Sequence, residues 1–297
     1  MKKIMTTLAG LAALGLAGFL IMTQPHPRPT DGFTGLTGDS ARGAAVYAAA
    51  GCGSCHMADK AEGEAQLVLS GGQKFGSPFG TFLAPNISPD PDQGIGGWTL
   101  EQFATAVMDG ISPDNQHYFP AMPYNAYGKM AAQDVADLKA YMDALPASEI
   151  ASLPHEVGFP FNIRRSLGGW KLLFQSQEFV LQGDLTPQVA RGRYIAEAMS
   201  HCGECHSPRN LLGGLKTAKW LAGAPDPSGQ GKIPGIAPGI LAWSEDEIFD
   251  YLTTGFTPEF DSVGGHMARV VDNMAKLPEA DVRAIAAYIK AVPKQAP

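Results

Sequence analysis

The chain has 297 residues, enough for two domains of ordinary size, and its 45% hydrophobic and 17% charged content is that of a globular protein rather than a disordered one. A formal net charge of −7 makes nucleic acid a poor partner and leaves an acidic surface whose ordinary role is solubility. The 35 glycines and 23 prolines point to much loop and few long regular elements.

The N-terminus opens with Lys2 and Lys3, followed by 19 uncharged, mostly apolar residues from Ile4 to Met22. A signal-peptide core is usually about 7–15 residues long and ends at a small-x-small site. Here the apolar run continues to Gln24-Pro25 without such a site. As a helix it would extend about 28 Å, close to the hydrocarbon thickness of a bilayer. Residues 1–24 therefore read as an uncleaved anchor with its lysines inside, with a removed signal as the alternative, and either way the remainder is exported. Residues 25–38, in a stretch rich in Pro, Gly and Thr, read as a tether.

The rest of the chain repeats itself. Cys52-Gly53-Ser54-Cys55-His56 and Cys202-Gly203-Glu204-Cys205-His206 lie 150 positions apart. Gly94-Ile95-Gly96-Gly97-Trp98 matches Gly239-Ile240-Leu241-Ala242-Trp243 at an offset of 145, and Asp134-Val135 with Tyr141 match Asp281-Val282 with Tyr288 at 147. Landmarks in one order at a near-constant offset predict two copies of one domain, 39–147 and 186–297.

Each copy predicts the same helices. One precedes the cysteines, Arg42 to Ala50 in the first copy and Val189 to Ser200 in the second, with an early Gly and a Tyr in each. After each Trp stands a capping box, Thr99-Leu100-Glu101-Gln102 and Ser244-Glu245-Asp246-Glu247, opening helices that bury Phe103 with Val107 and Ile248 with Leu252. The last helix carries Val135, Leu138, Met142 and Leu145 on one stripe, echoed by Val282, Ile285, Ile289 and Val292. Without sustained period-2 alternation, both domains are predicted all-α. Residues 148–185 are too apolar for a flexible linker, as Phe159-Pro160-Phe161-Asn162 and Trp170 to Phe174 show, and are expected to fix the placement of the two domains.

The chemistry lies in the Cys-x-x-Cys-His motifs. Two cysteines one helical turn apart can each form a thioether to a haem vinyl group, and the adjacent histidine then lies under the iron. A disulfide, a zinc site or a thioredoxin-like pair would leave unexplained why His follows both pairs, and no βαβ pattern surrounds either. Two covalent haem c groups are expected, on Cys52 and Cys55 with His56 and on Cys202 and Cys205 with His206. For the sixth ligand, Met122 stands in Phe119-Pro120-Ala121-Met122-Pro123-Tyr124, a Pro-stiffened loop 66 residues after His56, and Met267 follows His206 by 61. Met57 is too close to the motif to cross the haem, Met108 reads as core, and Met274, His117 and His266 are the rival ligands. His26, His155 and His201 read as surface or loop residues. Pro85 and Pro238 could offer carbonyls to the proximal histidines. Trp98, Trp243 and Arg209 could meet haem propionates.

Asn86-Ile87-Ser88-Pro89-Asp90, Gly94 to Trp98, Tyr118 to Tyr124, Phe159 to Arg164 and His201 to Asn210 together resemble the cytochrome c subunits of membrane-bound periplasmic alcohol, gluconate, sorbitol and aldehyde dehydrogenases. The resemblance covers most of the exported chain and includes the linker, and Met122 and Met267 fall on the family's axial methionines. It implies two tandem class I cytochrome c domains on the periplasmic side of a bacterial inner membrane. It also implies a dehydrogenase catalytic subunit as electron donor and a quinone, a soluble cytochrome or a terminal oxidase as acceptor. The chain departs in having two haem motifs where those subunits commonly have three. A two-haem enzyme such as a cytochrome c peroxidase is the competing class. It would need one iron without a permanent Met ligand, whereas each copy supplies one. A thiosulfate dehydrogenase of this architecture would need a spare cysteine ligand, and none exists.

Overall fold

A computed structural model describes residues 2–227, 229 and 231–296, with Lys2 described by its backbone alone. Met1 and the Lys2 side chain, both part of the expected anchor, and Pro297, part of the second domain, lie outside the described residues.

The long N-terminal helix α1 (Lys2–Met22) stands apart from the rest, its apolar side chains exposed, and is the one helix among the described residues long and apolar enough to cross a membrane. Its C-terminal end is built into the fold. Thr23 is buried, its carbonyl accepts from Nε2 of His117 at 2.9 Å, and its hydroxyl accepts from Nε of Arg165 at 3.1 Å. A second Arg165 nitrogen donates to the Leu20 carbonyl, one of the carbonyls that a helix end leaves unpaired.

The stretch expected as a tether is likewise held down. Arg28 donates to Asp109 Oδ2 through its backbone and to Oδ1 through Nε, both at 2.9 Å, and Phe33 is buried. A buried aromatic and a paired buried carboxylate fix a segment whose composition alone reads as flexible.

Helix α2 (Ser40–Ala50) begins where Asp39 caps it, accepting from the amides of Ala41 and Arg42, and ends at the left-handed Gly51. The first Cys-x-x-Cys-His motif comes next as the one-turn helix α3 (Cys52–His56). A hairpin, β1 (Lys74–Ser77) with β2 (Gly80–Leu83), lies beyond it. Then come α4 (Leu100–Ala104), α5 (Tyr124–Tyr127) and α6 (Ala132–Met142). The linker forms α7 (Ser166–Phe174). The second half runs α8 (Pro187–Tyr194), α9 (Cys202–His206), the short hairpin β3 (Ala224–Pro225) with β4 (Lys232–Ile233), α10 (Glu245–Thr254), α11 (His266–Met274) and α12 (Glu279–Ala291). The architecture is thus helical, as expected, with two small hairpins among the described residues that the sequence pattern did not announce.

Both capping boxes form, Thr99 with Gln102 and Ser244 with Glu247. Two helices depart from expectation: α4 and α8 pass into π-helical turns, Thr105–Asp109 and Ile195–Met199, the latter within the span read as one helix to Ser200. The predicted stripes are buried at Val135, Leu138 and Met142 on α6 and at Val282, Ile285 and Ile289 on α12 with Val292 just after it, while Leu145, beyond the end of α6, is half-buried.

In each half the first helix crosses the last, α2 over α6 and α8 over α12. The early glycines make the crossings possible. A Cβ on Gly43 would stand 2.0 Å from the Asp137 carbonyl oxygen, and one on Gly192 1.8 Å from that of Ala284. Backbone meets backbone there, so no larger residue fits.

The linker packs, as its apolar residues require. Nζ of Lys171 donates to the carbonyls of Asp109 and Gly110 at 2.5 and 2.8 Å, satisfying the end of a helix, and lies over the Tyr124 ring. Trp170 Nε1 donates to the Leu212 carbonyl at 2.9 Å, and the buried Glu197 carboxylate accepts from the amides of Val180 and Leu181. Residues 148–185 therefore touch both halves.

Candidate functional site

Each motif is a one-turn helix whose first intervening residue is glycine, and the reason lies beneath it. A Cβ on Gly53 would stand 2.5 Å from the Tyr47 hydroxyl, and one on Gly203 1.9 Å from the Trp220 ring. The turn sits directly on an aromatic in both halves. Trp220 in turn donates to Tyr288 Oη at 2.7 Å, and Tyr288 donates to Glu197 at 2.7 Å.

The two motif histidines are presented in the same way. The carbonyls of His56 and His206 each accept at 2.7 Å from a glycine amide, Gly71 and Gly223, on the approach to the hairpin. Their rings bond beyond the hairpin: Nδ1 of His56 to the Pro85 carbonyl at 2.9 Å, and Nδ1 of His206 to the Pro234 carbonyl at 2.8 Å. A carbonyl can only accept, so Nδ1 carries the proton and Nε2 keeps its lone pair. Burial lowers both histidine pKa values, against the opposing pull of those carbonyls, and favours the neutral ring that can bind a metal.

Pro85 is thus where the sequence placed it, and Pro238 is not. The second histidine uses Pro234, the first residue after β4, whereas the Pro238 carbonyl accepts from the Gln295 amide at 2.9 Å and holds the C-terminal tail. The return strand of the hairpin sets the acceptor, and matching the halves by prolines alone missed it.

All four cysteines are unpaired. In the unmodified chain burial pushes the half-buried thiols of Cys52 and Cys202 up to about 12. A thioredoxin-like pair needs the opposite, a depressed thiol pKa. No group of three or more His, Cys, Asp or Glu capable of holding a metal ion occurs among the described residues, which leaves no ligand set for zinc. Unpaired cysteines one turn apart beside a neutral histidine with a free Nε2 fit haem c.

Of the two loop methionines, Met122 stands in a turn just before α5 and Met267 in the first turn of α11, and both are half-buried against the apolar core. Met57, Met108, Met130 and Met274 are buried as core. His117 is committed to Thr23, and His266 is exposed, its ring 6.3 Å from Phe75. Trp98 and Trp243 pack against the core, and Arg209 pairs with Glu204 inside the second motif.

His201 lies in a loop, as its sequence position suggests, but half-buried and between the two motifs. It precedes Cys202 with φ 42°, its ring meets Tyr127 edge-on at 5.6 Å, and burial lowers its pKa against the opposing pull of Glu204 and of the Ala50 backbone, two residues before Cys52. Tyr127 Oη donates to the Ala50 carbonyl at 2.7 Å. Arg269 and Asn273, on α11, reach the first motif: Arg269 Nη1 donates to the Ser54 carbonyl at 2.6 Å and to Gln73 Oε1 at 2.9 Å, and Asn273 Nδ2 to the Ser54 hydroxyl at 3.0 Å. No local motif marks these contacts, because each joins residues remote in sequence.

Comparison with known proteins agrees with this geometry. The family called Cytochrome c matches residues 40–146. A protein named "Diheme cytochrome c-type" from Cereibacter sphaeroides is 53% identical over 96% of this chain and 97% of its own length. The "Fructose dehydrogenase cytochrome subunit" of Gluconobacter japonicus is 36% identical over 95% of this chain, and an "Alcohol dehydrogenase (quinone), cytochrome c subunit" of Gluconobacter oxydans is 32% identical over 85%. The chain spans 58% and 54% of those two subunits. The protein belongs to the c-type cytochrome family that includes the cytochrome subunits of dehydrogenases, and it binds two haem c groups covalently.

Proposed function

We propose that this protein is a two-haem electron carrier on the periplasmic side of a bacterial inner membrane, reduced by a dehydrogenase catalytic subunit and oxidised by a quinone, a soluble cytochrome or a terminal oxidase. Two tandem class I cytochrome c domains, 39–147 and 186–297, each hold one haem. Thioethers form at Cys52 and Cys55 and at Cys202 and Cys205, with His56 and Met122 as axial ligands in the first domain and His206 and Met267 in the second. Haem c supplies a reversible one-electron iron couple. The chain orients each histidine through a proline carbonyl, excludes water with its apolar core, and offers methionine, a ligand suited to electron transfer. The observation that carries this reading is the paired construction of the two sites: one-turn motif, glycine over an aromatic, and Nδ1 bonded beyond a hairpin in both halves.

Three supports bear on partner and place. Relatives over most of this chain are named as dehydrogenase cytochrome subunits, which favours electron transfer over the peroxidase alternative. The end of α1 is an integral contact of the fold through Thr23, His117 and Arg165, which favours an anchor over a removed signal. The linker helix whose Gly168 abuts Thr23 also leaves Leu172 and Leu173 exposed. Trp98, Trp243 and Arg209 remain the proposed propionate contacts.

The test is to purify the tagged, full-length protein from detergent-solubilised membranes. A dehydrogenase catalytic subunit that co-purifies, and whose substrate reduces the haems, supports the reading. Haems left oxidised by every such substrate and turned over by hydrogen peroxide would defeat it.

A further inference from the structure

Helix α11 has two working faces. Met267, Val271 and Met274, at i, i+4 and i+7, face the apolar core, with Val271 and Met274 fully buried. Arg269 and Asn273, at i and i+4 on the other side, grip the haem-attachment turn of the other half. One helix thus carries the proposed axial ligand of the second haem and holds the Cys52–Cys55 turn of the first.

The grip is specific. The Ser54 carbonyl accepts from Arg269 at 2.6 Å and from Gln73 Nε2 at 3.2 Å, while the second Gln73 bond goes to the Met57 carbonyl at 2.9 Å. Gln73 is buried, and its Oε1 accepts from Arg269. The turn is therefore clamped from both halves. A second contact joins the starts of the motifs, where Tyr127 donates to the Ala50 carbonyl at 2.7 Å and meets the His201 ring edge-on at 5.6 Å. The consequence for the cysteines is proximity: the Cys55 thiol lies within electrostatic reach of both Cys205 and the Arg269 guanidinium.

We propose that the two thioether edges face one another, that electrons cross between the haem sites at this contact, and that Arg269 is its positioning residue. The inference rests on the two-haem reading above. Exchange takes one electron from a ferrous site to a ferric one, with no bond made or broken and no proton moved. Arg269 acts in two ways. Its hydrogen bonds hold the Ser54 turn against α11, which fixes the separation of the sites. Its charge also disfavours the extra positive charge of ferric iron beside Cys55, and so raises the potential of the first site. The bond from a charged donor is of the stronger kind.

The test uses the full-length, haem-loaded protein with Arg269→Gln, Arg269→Lys and Asn273→Ala. Spectroelectrochemical titration resolves the two potentials, and flash photoreduction tracks equilibration between the sites. Arg269→Gln should show a lower potential at one site, a fall of roughly tenfold in the equilibration rate, and an unchanged Met–iron charge-transfer band. Arg269→Lys keeps the charge and restores most of the potential, which a purely structural residue would not do. If Arg269→Gln does not load haem, Asn273→Ala gives a smaller fall in rate with both potentials nearly unchanged, because it removes a bond and no charge. Unaltered potentials and rate in Arg269→Gln with two haems present would overturn the proposal, as would an unaltered rate in Asn273→Ala where that variant stands in. Fewer than two haems per chain in the unmodified protein would instead defeat the two-haem reading itself.

Discussion

Nε2 of His117 donates to the carbonyl of Thr23 across 2.9 Å, joining the end of the apolar N-terminal helix to a buried ring of the first half of the chain. Nδ1 of the same ring is buried without a hydrogen-bond partner, so the imidazole is held neutral with its proton on Nε2. Burial lowers its pKa, opposed by the Thr23 bond and aided by the nearby charges of Lys171, Arg165 and His26.

That lowered pKa sets the sign of a pH dependence. An unfolded His117 takes up a proton below about 6.5, whereas the folded one resists it, so the unfolded state binds more protons as pH falls. Stability from this group is complete above that value and is lost as pH drops through it. Thermal unfolding measured from pH 8 to 5 should show a falling midpoint, and His117→Gln should flatten that slope. An equal slope in the variant would rule out His117 as its source.

Lys171 gives the same sign of dependence at alkaline pH. Desolvation lowers its pKa to about 8, partly offset by Asp109. Because the unfolded ammonium keeps its proton to higher pH, its contribution to stability rises between about 8 and the unperturbed value near 10.4. Denaturant unfolding of Lys171→Met should lack that rise. At pH 7 the variant should still be the less stable by about 1–3 kcal/mol, because the Asp109 and Gly110 carbonyls lose their donor.

Gly192→Ala places a methyl group where the Ala284 carbonyl oxygen already lies, 1.8 Å away, and should force α8 and α12 apart. Overpacking of this kind costs about 1–3 kcal/mol, and backbone against backbone belongs at the upper end. Calorimetry should show a lowered transition, with Gly43→Ala doing the same through α2 and α6. An unchanged transition in both would mean that the crossings have room for a side chain.

Much of this molecule was legible in its sequence because the informative features are local. Cys-x-x-Cys-His states its own geometry, capping boxes mark helix starts within four residues, and the repeat offset doubles every observation. The failures share a cause. Pro238 stood in for Pro234 because the acceptor depends on where a short hairpin returns, and residues 25–38 read as a tether because Arg28 finds Asp109 only in the fold. His201 is a loop residue, as its position suggests, but its contact with Tyr127 is hidden because the two stand 74 positions apart in the chain. Arg269 is invisible for the same reason: nothing near it in sequence announces Ser54.

Irons closed by methionine carry electrons rather than act on a substrate, and the Met–iron charge-transfer band reads that closure directly. The decisive measurement is this band in the oxidised, full-length protein, quantified per haem and repeated for Met122→Ala and Met267→Ala. Closure at both sites requires a band accounting for two haems, about half of which disappears in each variant, and a reduced protein that binds cyanide slowly if at all. High-spin iron in the unmodified protein, or a band indifferent to either substitution, would contradict it.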